Sequence, residues 1–180
     1  MRYLINSTYV SLDGLIGDLE GWLFGYKSTD AEKATDEILA GADTLLLGRR
    51  TYQAFAEAWP TRTGALADTL NGMKKYVAST TLETAGWDNS EIISADLADR
   101  VADIKRRPGG HIVSYGFGPV AQTLLEHGLL DEIRLWLHPV LVGSVGSGEW
   151  LFREGNAARL TLLNTRVLDT GVVILSYRPD

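Results

Sequence analysis

Short runs of apolar and β-branched residues alternate with helical stretches along most of this chain. Such alternation is typical of a sheet that has helices packed on its faces. The pattern predicts strands over residues 3–10, 44–47, 75–79, 91–94, 111–114, 132–138, 160–168 and 172–177. It predicts helices over residues 30–40, 51–58, 97–106 and 119–127.

Turn and cap residues indicate how these elements connect. Ser28 or Thr29 is suited to cap the first predicted helix, and Asp96 to cap the third. Residues 169–171 form a short turn that joins the last two strands as an antiparallel hairpin. Parallel strands need helical crossovers, so we expect an α/β fold with a mixed sheet and a C-terminal hairpin. Residues 1–180 are expected to form one domain.

Composition and charge exclude several classes of protein. The chain has 180 residues, of which 45% are hydrophobic, so a disordered or fibrous protein is excluded. Its formal net charge is −6 without a basic block, which argues against nucleic acid or an anionic membrane as a partner. Cysteine is absent, which excludes disulfides and thiolate zinc sites. There is no apolar leader or long apolar span, so we expect a cytoplasmic protein.

The first candidate site follows the predicted strand at 44–47. Gly48, Arg49, Arg50 and Thr51 stand between that strand and a helix. Unpaired backbone amides at a helix start attract anions, and guanidinium groups match the geometry of phosphate. These residues are therefore a candidate phosphate site. The alternative is that Thr51 only caps the helix and that the arginines only face solvent.

The second candidate site is a glycine turn after the strand at 111–114. Residues 116–121 match G-x-G-x-x-A, in which glycines let the backbone approach a pyrophosphate. An ordinary Rossmann site also has an acid roughly 20 residues later, where this chain has His138 and Pro139, so that arrangement is disfavoured. The alternative is a sharp turn that uses glycine for backbone reasons alone.

Two other turns carry small or polar residues. Ser79, Thr80 and Thr81 follow the strand at 75–79, where their hydroxyls either face a nucleotide or only cap the strand end. Residues 143–148 are rich in glycine and serine and are not followed by an obvious helix. We expect a flexible loop there.

Three acids are candidates for proton transfer. Asp13 lies in a glycine-rich, aromatic loop, where apolar surroundings raise a carboxyl pKa and so make a general acid. Asp13 and Gly14 are also an ordinary turn pair. Glu32 and Asp36 lie on the first predicted helix and face either a cleft or water. The three histidines lack metal-ligand spacing, so no metal ion is expected.

Several of these blocks together resemble the dihydrofolate reductase superfamily. The resemblance is greatest to the reductase domain of bacterial riboflavin-pathway deaminase-reductases and its stand-alone relatives. It covers nearly the whole chain and rests on the order and spacing of Ser11–Gly14, Asp43–Tyr52, Lys75–Ser79, Tyr115–Gly118 and Gly128–Glu132. It implies a dihydrofolate reductase-like, mostly parallel sheet flanked by helices. A bifunctional enzyme also carries a zinc deaminase with cysteines, so this chain matches at most the reductase half.

The resemblance also implies where a cofactor binds. In that family, the arginine turn and the serine-ending strand hold the adenosine side of NADPH, and the glycine turn passes beneath the pyrophosphate and nicotinamide ribose. The matching residues here are Gly48, Arg49, Arg50, Thr51, Ser79, Thr80, Tyr115, Gly116, Phe117 and Gly118. Asp13 matches a substrate-side aspartate. The catalytic acid of folate reductases lies on the helix that here contains Glu32 and Asp36.

The implied function is that of an NADPH-dependent reductase. Its substrate would be a small pterin- or folate-like ring or a ribosylaminopyrimidine of riboflavin synthesis. The alternative is a nucleotide-binding or regulatory protein that keeps the cofactor cleft without turnover, and a flavin-binding relative is a third reading. We also expect a homodimer, although the apolar residues within 134–142 serve an internal core equally well.

Overall fold

A mixed sheet forms the centre of the computed structural model, which describes residues 1–143, 149–151 and 157–180. The strands in these ranges are β1 Leu4–Ser11, β2 Ala42–Gly48, β3 Lys74–Ala78, β4 Ser90–Ile93, β5 His111–Tyr115, β6 Glu132–His138, β7 Leu160–Val167 and β8 Val173–Pro179. The α-helices are α1 Thr29–Leu39, α2 Arg49–Ala58, α3 Ala65–Gly72, α4 Leu97–Arg106 and α5 Pro119–Glu126. None of these helices combines the length and apolar character that a membrane crossing requires.

The strands lie in the order β4-β3-β2-β5-β1-β6-β8-β7. The first six are parallel, and β8 pairs antiparallel with both β6 and β7. The predicted α/β fold, with a mostly parallel mixed sheet and a C-terminal hairpin, is confirmed. Because β6 lies between β1 and β8, its apolar residues belong to the interior of the sheet and not to a sheet edge.

Helices cover both faces of the sheet and leave a crevice at the carboxyl ends of two central strands. α2 follows β2 onto one face, where Tyr52 joins a core cluster with Val113. α5 follows the neighbouring strand β5 onto the opposite face, where Ala121 and Leu124 pack with Ile112. Because the two connections diverge from adjacent strands, the carboxyl ends of β2 and β5 are left open. α/β sheets bind ligands at such a point.

Local capping explains where the helices begin. α1 is capped by Ser28, whose Oγ accepts a hydrogen bond from the Ala31 amide at 3.2 Å. α2 begins at Arg49, earlier than predicted, because Gly48 is its N-cap. The alternative in which Thr51 caps this helix is therefore wrong, since Thr51 lies within the first turn.

Candidate active site

A groove of about 800 Å³ runs along the carboxyl ends of the parallel strands. That volume lies in the range of small-molecule sites. The groove is lined by all of the residues that the sequence predicts for cofactor binding: Gly48, Arg49, Arg50, Thr51, Ser79, Thr80, Tyr115, Gly116, Phe117 and Gly118. It is also lined by residues within β1 and directly after β4 that were not predicted to bind a ligand: Ser7, Thr8, Tyr9, Ser94, Ala95, Asp96 and Leu97.

The arginine turn, residues 48–51, and the glycine turn, residues 115–118, lie beside each other in the lining of this groove. A methyl group built on Gly116 would lie 3.7 Å from the Thr51 hydroxyl, and one built on Gly48 would lie 3.3 Å from a methyl of Val120. Gly116 has a φ of 78°, a left-handed conformation that favours glycine. The N-termini of α2 and α5 therefore lie beside the same space, which suits an anion.

The two neighbouring arginines differ in their partners. Arg50 forms an ion pair with Glu149, which also lines the groove. The exposed side chain of Arg49 has no ion pair or hydrogen bond with residues in the described ranges. Among the described residues no carboxylate pairs with Arg49, so a bound phosphate would meet its guanidinium more readily than that of Arg50.

The hydroxyl of Ser79 closes the turn that follows β3. Its Oγ accepts hydrogen bonds from the backbone amides of Thr81 at 3.2 Å and Leu82 at 2.9 Å, as the strand-capping alternative predicts. The Ser79 amide in turn donates to the Ile93 carbonyl at 3.0 Å, which holds this turn beside residues 94–97. Because the two amides occupy the lone pairs of the oxygen, the hydroxyl proton of Ser79 is left to donate to a ligand.

Asp96 places a carboxylate at the same end of the groove. It is the N-cap residue of α4, as predicted, but its side chain makes no capping hydrogen bond. Its backbone is left-handed, with a φ of 49°, which is uncommon for a residue other than glycine. A ligand phosphate at this end would meet a negative charge as well as the Ser79 hydroxyl.

Aromatic side chains line the opposite end of the groove, near β1. The rings of Phe55 and Tyr115 lie 5.3 Å apart, and Tyr9 lines the same region. Burial raises the pKa of both tyrosine hydroxyls, while a hydrogen bond with Thr35 lowers that of Tyr9 to a lesser extent. Both hydroxyls therefore stay protonated at neutral pH, and this end suits a flat ring that carries hydrogen-bond acceptors.

Asp13 lies outside the groove lining. Its carboxylate accepts hydrogen bonds from the Ser11 hydroxyl at 2.6 Å and from the Gly143 and Val142 amides at 2.9 and 3.3 Å. These bonds, that of Ser11 foremost, stabilise the anion and lower the pKa of Asp13, so the predicted raised pKa is wrong. Of the predicted flexible loop 143–148, residues 144–148 lie outside the described residues.

Glu32 and Asp36 are exposed on α1 and also lie outside the groove lining. Their placement follows from the helix period, because Ala34 and Ile38 form the buried stripe and the two acids project on the other side. The solvent alternative therefore describes both acids. Thr35, on the same helix, is half-buried, and its hydroxyl donates to the Ala31 carbonyl at 3.0 Å. No three His, Asp or Glu side chains in the described ranges are close enough to share a metal ion.

Comparison with known proteins connects this site to a family. The family model of the RibD C-terminal domain matches residues 2–174. The chain belongs to the RibD C-terminal domain family. The uncharacterized protein YyaP of Bacillus subtilis (strain 168) is 31% identical over 183 residues, which cover 98% of this chain and 94% of YyaP.

Solved structures share the RibD-type fold. A putative riboflavin biosynthesis protein from Shewanella sp. PV-4 superposes with a TM-score of 0.78 at 21% identity and covers 99% of both chains. A diaminohydroxyphosphoribosylaminopyrimidine deaminase/5-amino-6-(5-phosphoribosylamino)uracil reductase from Thermotoga maritima gives 0.66 at 15% identity. That match covers 99% of this chain and 57% of the Thermotoga chain. The resemblance to the reductase domain of deaminase-reductases is confirmed.

Proposed function

We propose that this RibD-type protein is an NADPH-dependent reductase that acts on a small planar heterocycle. The observation that carries the proposal is the groove in which the arginine turn and the glycine turn lie side by side. The donors there fit a dinucleotide, because two helix N-termini, the Arg49 guanidinium and the Ser79 hydroxyl all lie along one groove. An NADPH molecule carries its anionic groups at several points along such a length.

Each part of the groove would have its own task. Arg49, Ser79 and Thr80 would hold the phosphorylated adenosine side, and the glycine turn would lie beneath the pyrophosphate and nicotinamide ribose. When bound, the nicotinamide supplies the hydride. Phe55 and Tyr115 would stack on the substrate ring and exclude water, and the Tyr9 hydroxyl would hold a proton toward it. Asp13 would not contact the substrate itself. Its carboxylate would help to shape the substrate side by holding the Gly143 amide beside the loop that follows β1.

The substrate class follows the family. The reductase activity named for the Thermotoga protein acts on a ribosylaminopyrimidine, and a pterin- or folate-like ring presents a similar flat, acceptor-rich face. Glu32 and Asp36 are not proposed as acids, because both face water on α1.

Titration of the protein with NADPH, followed by fluorescence, tests this proposal. Arg49→Ala is expected to weaken NADPH binding by about tenfold, since it removes one charge-assisted phosphate contact at an exposed position. Arg106→Ala is the matched control, because Arg106 is an exposed arginine of α4 outside the groove lining. Equal affinity in all three proteins would refute the phosphate role of Arg49, and no binding to the wild type would refute the cofactor.

A second candidate is a nucleotide-binding or regulatory protein without turnover. It is favoured by the placement of Asp13, Glu32 and Asp36 outside the groove lining. Loss of the reduced-nicotinamide absorbance with any pterin or ribosylaminopyrimidine in a panel would exclude it. Binding of NADPH without consumption across the panel would support it instead.

We also propose that the protein forms a homodimer. β6 lies in the sheet interior, which leaves the outer side of β7 as the candidate edge, with Leu162 and Val167 54% and 67% exposed. Light scattering tests the mass, and a monomer at working concentrations would refute this part of the proposal.

A further inference from the structure

The central strand β1 buries polar side chains where a strand in this position ordinarily buries apolar ones. Asn6 is 0% exposed, and Ser7 and Thr8 beside it are also buried. A buried amide without partners costs free energy, so its hydrogen bonds show what it does for the fold. In Asn6 these bonds lead directly to the glycine turn.

The Asn6 amide holds the carbonyl of Gly116. Its Nδ2 donates to the Gly116 carbonyl at 2.9 Å and to the Ser114 hydroxyl at 3.0 Å, while its Oδ1 accepts from the Thr8 hydroxyl at 2.9 Å. A carbonyl accepts only, so the nitrogen of the amide must be the atom that faces Gly116. The Gly116 amide donates to the Ser7 carbonyl at 3.1 Å, so β1 holds both polar groups of this glycine.

The hydrogen bond from Asn6 matters because a glycine restricts the orientation of the peptide that follows it less than any other residue does. Gly116 has a φ of 78° and no side chain to restrict the alternatives. Asn6 lies outside the groove lining and is fully buried, so the carbonyl it binds faces the protein interior. If that peptide turned over, its carbonyl oxygen would face the groove and repel an anionic ligand there.

We propose that Asn6 is a positioning residue of the cofactor site, which keeps the Gly116 carbonyl turned away from the groove so that the glycine turn accepts a phosphate. The inference rests on the proposed function, because the phosphate is taken to belong to NADPH. Asn6 would not touch the cofactor, and its effect would pass through one hydrogen bond to Gly116.

The substitution Asn6→Asp tests this role with little change of shape. Burial raises the pKa of a carboxyl, so Asn6→Asp donates to the Gly116 carbonyl at low pH and loses this proton as the pH rises; NADPH binding is expected to weaken by about tenfold or more once the carboxylate is ionised. A protonated aspartate donates again, so the affinity of the variant relative to wild type is expected to recover as the pH falls. Urea denaturation of the variant over the same pH range is the control, because a purely structural role would change NADPH affinity only at the pH values where the variant unfolds. Asn6→Ala serves as a second variant, expected to bind weakly at every pH.

Ser114→Ala is the matched control. Ser114 is equally buried and accepts a hydrogen bond from Asn6, but this bond does not reach Gly116. The control is expected to lose some stability to urea and to keep wild-type affinity for NADPH. If the wild type binds NADPH and the Asn6 variants bind it equally well, the positioning role is refuted and the proposed function stands. If the wild type does not bind NADPH, both are overturned.

Discussion

The carboxylate of Glu149 is paired with the guanidinium of Arg50 across the mouth of the groove. The Glu149 carbonyl also accepts the backbone amides of Ile16 at 2.8 Å and Gly17 at 3.3 Å. The pair therefore connects the start of α2 to the loop that follows β1. Because the charge of Arg50 is compensated, we expect Arg50 to attract a bound phosphate less strongly than Arg49 does.

The substitution Glu149→Gln removes this compensation. It is expected to tighten NADPH binding by a few-fold, since the groove loses a negative charge and Arg50 gains an uncompensated positive one. Stability should change by less than about 1 kcal/mol, because the pair is largely exposed. Fluorescence titration measures the affinity, and Glu57→Gln on the exposed side of α2 controls for net charge. An unchanged dissociation constant in Glu149→Gln would show that the pair does not compete with the ligand.

The position of Asp96 predicts that its charge affects the preference for NADPH over NADH. Only NADPH carries the ribose phosphate, which we place near Ser79 and Arg49, so the Asp96 carboxylate opposes NADPH more than NADH. Asp96→Asn keeps a residue type that tolerates the left-handed backbone and is expected to raise the ratio of NADPH to NADH affinity by a few-fold.

The salt dependence of this change distinguishes charge from shape. The gain in Asp96→Asn should shrink between about 0.05 M and about 0.5 M salt, because screening weakens exposed charges. Asp99→Asn, on the same helix and outside the groove lining, is the control. A cofactor ratio that shifts equally in both variants would contradict a local role for Asp96.

The regular elements could be predicted from residue patterns because burial enforces them. β6 begins and ends at the predicted residues, and its alternating chemistry matches a strand between two neighbours. α3 was not predicted, although Ala67 and Leu70 face the core. Its N-cap is Gly64, with a φ of 109°, and not the serine or aspartate that usually marks the start of a helix. The only sequence signal for this helix was therefore the spacing of a few apolar residues.

The candidate site could be predicted only where residues suited to bind a ligand stand in a turn between a strand and a helix. Arg49 and Gly116 each stand between a strand and a helix. Because these two strands are adjacent and parallel, both residues lie at the same end of the sheet. Asn6 could not be found this way, since its proposed role depends on the Gly116 carbonyl, which the fold brings from another turn. The pKa of Asp13 was predicted in the wrong direction for a related reason, because three hydrogen-bond donors that the fold brings to it lower this pKa more than desolvation raises it.

The contacts of Lys75 predict that this residue contributes to the free energy of unfolding. Its side chain is fully buried beneath the Trp87 ring, and its Nζ donates to the carbonyls of Asn71, Met73 and Asp88 at 2.8, 2.9 and 3.1 Å. Lys75→Met keeps the aliphatic stem but leaves these carbonyls without a donor, so the free energy of unfolding should fall by about 2–4 kcal/mol.

Urea denaturation measures this loss. Lys74→Met is the neighbouring control on the same strand, because Lys74 is 40% exposed and pairs with Glu91 at 3.0 Å on the surface. It should cost less than about 1 kcal/mol. NADPH affinity is expected to stay at the wild-type value in both variants, since neither lysine lines the groove. Equal losses of stability in the two variants would contradict the role assigned to Lys75.

His138 makes a prediction about pH. Its buried ring is enclosed edge-on by Tyr9, Trp22 and Tyr26, with centroid distances of 5.5, 5.1 and 5.3 Å. Burial lowers the pKa of His138 below 6.5, although a backbone carbonyl 2.7 Å from Nδ1 acts in the opposite direction. As the pH falls, the unfolded chain therefore takes up this proton before the folded one does. Protonation then favours unfolding, so stability is full above the ordinary histidine pKa and declines below it.

The substitution His138→Phe removes this titration and keeps a ring among the three neighbours. The urea midpoint of the wild type should fall between about pH 7.5 and about pH 5.5, and that of the variant should fall less. Tyr9, one of the rings around His138, stays protonated throughout that range, because burial raises the pKa of its hydroxyl. His111 and His127 are exposed and are the same in both proteins. Parallel pH curves for the two proteins would show that the proton is taken up elsewhere.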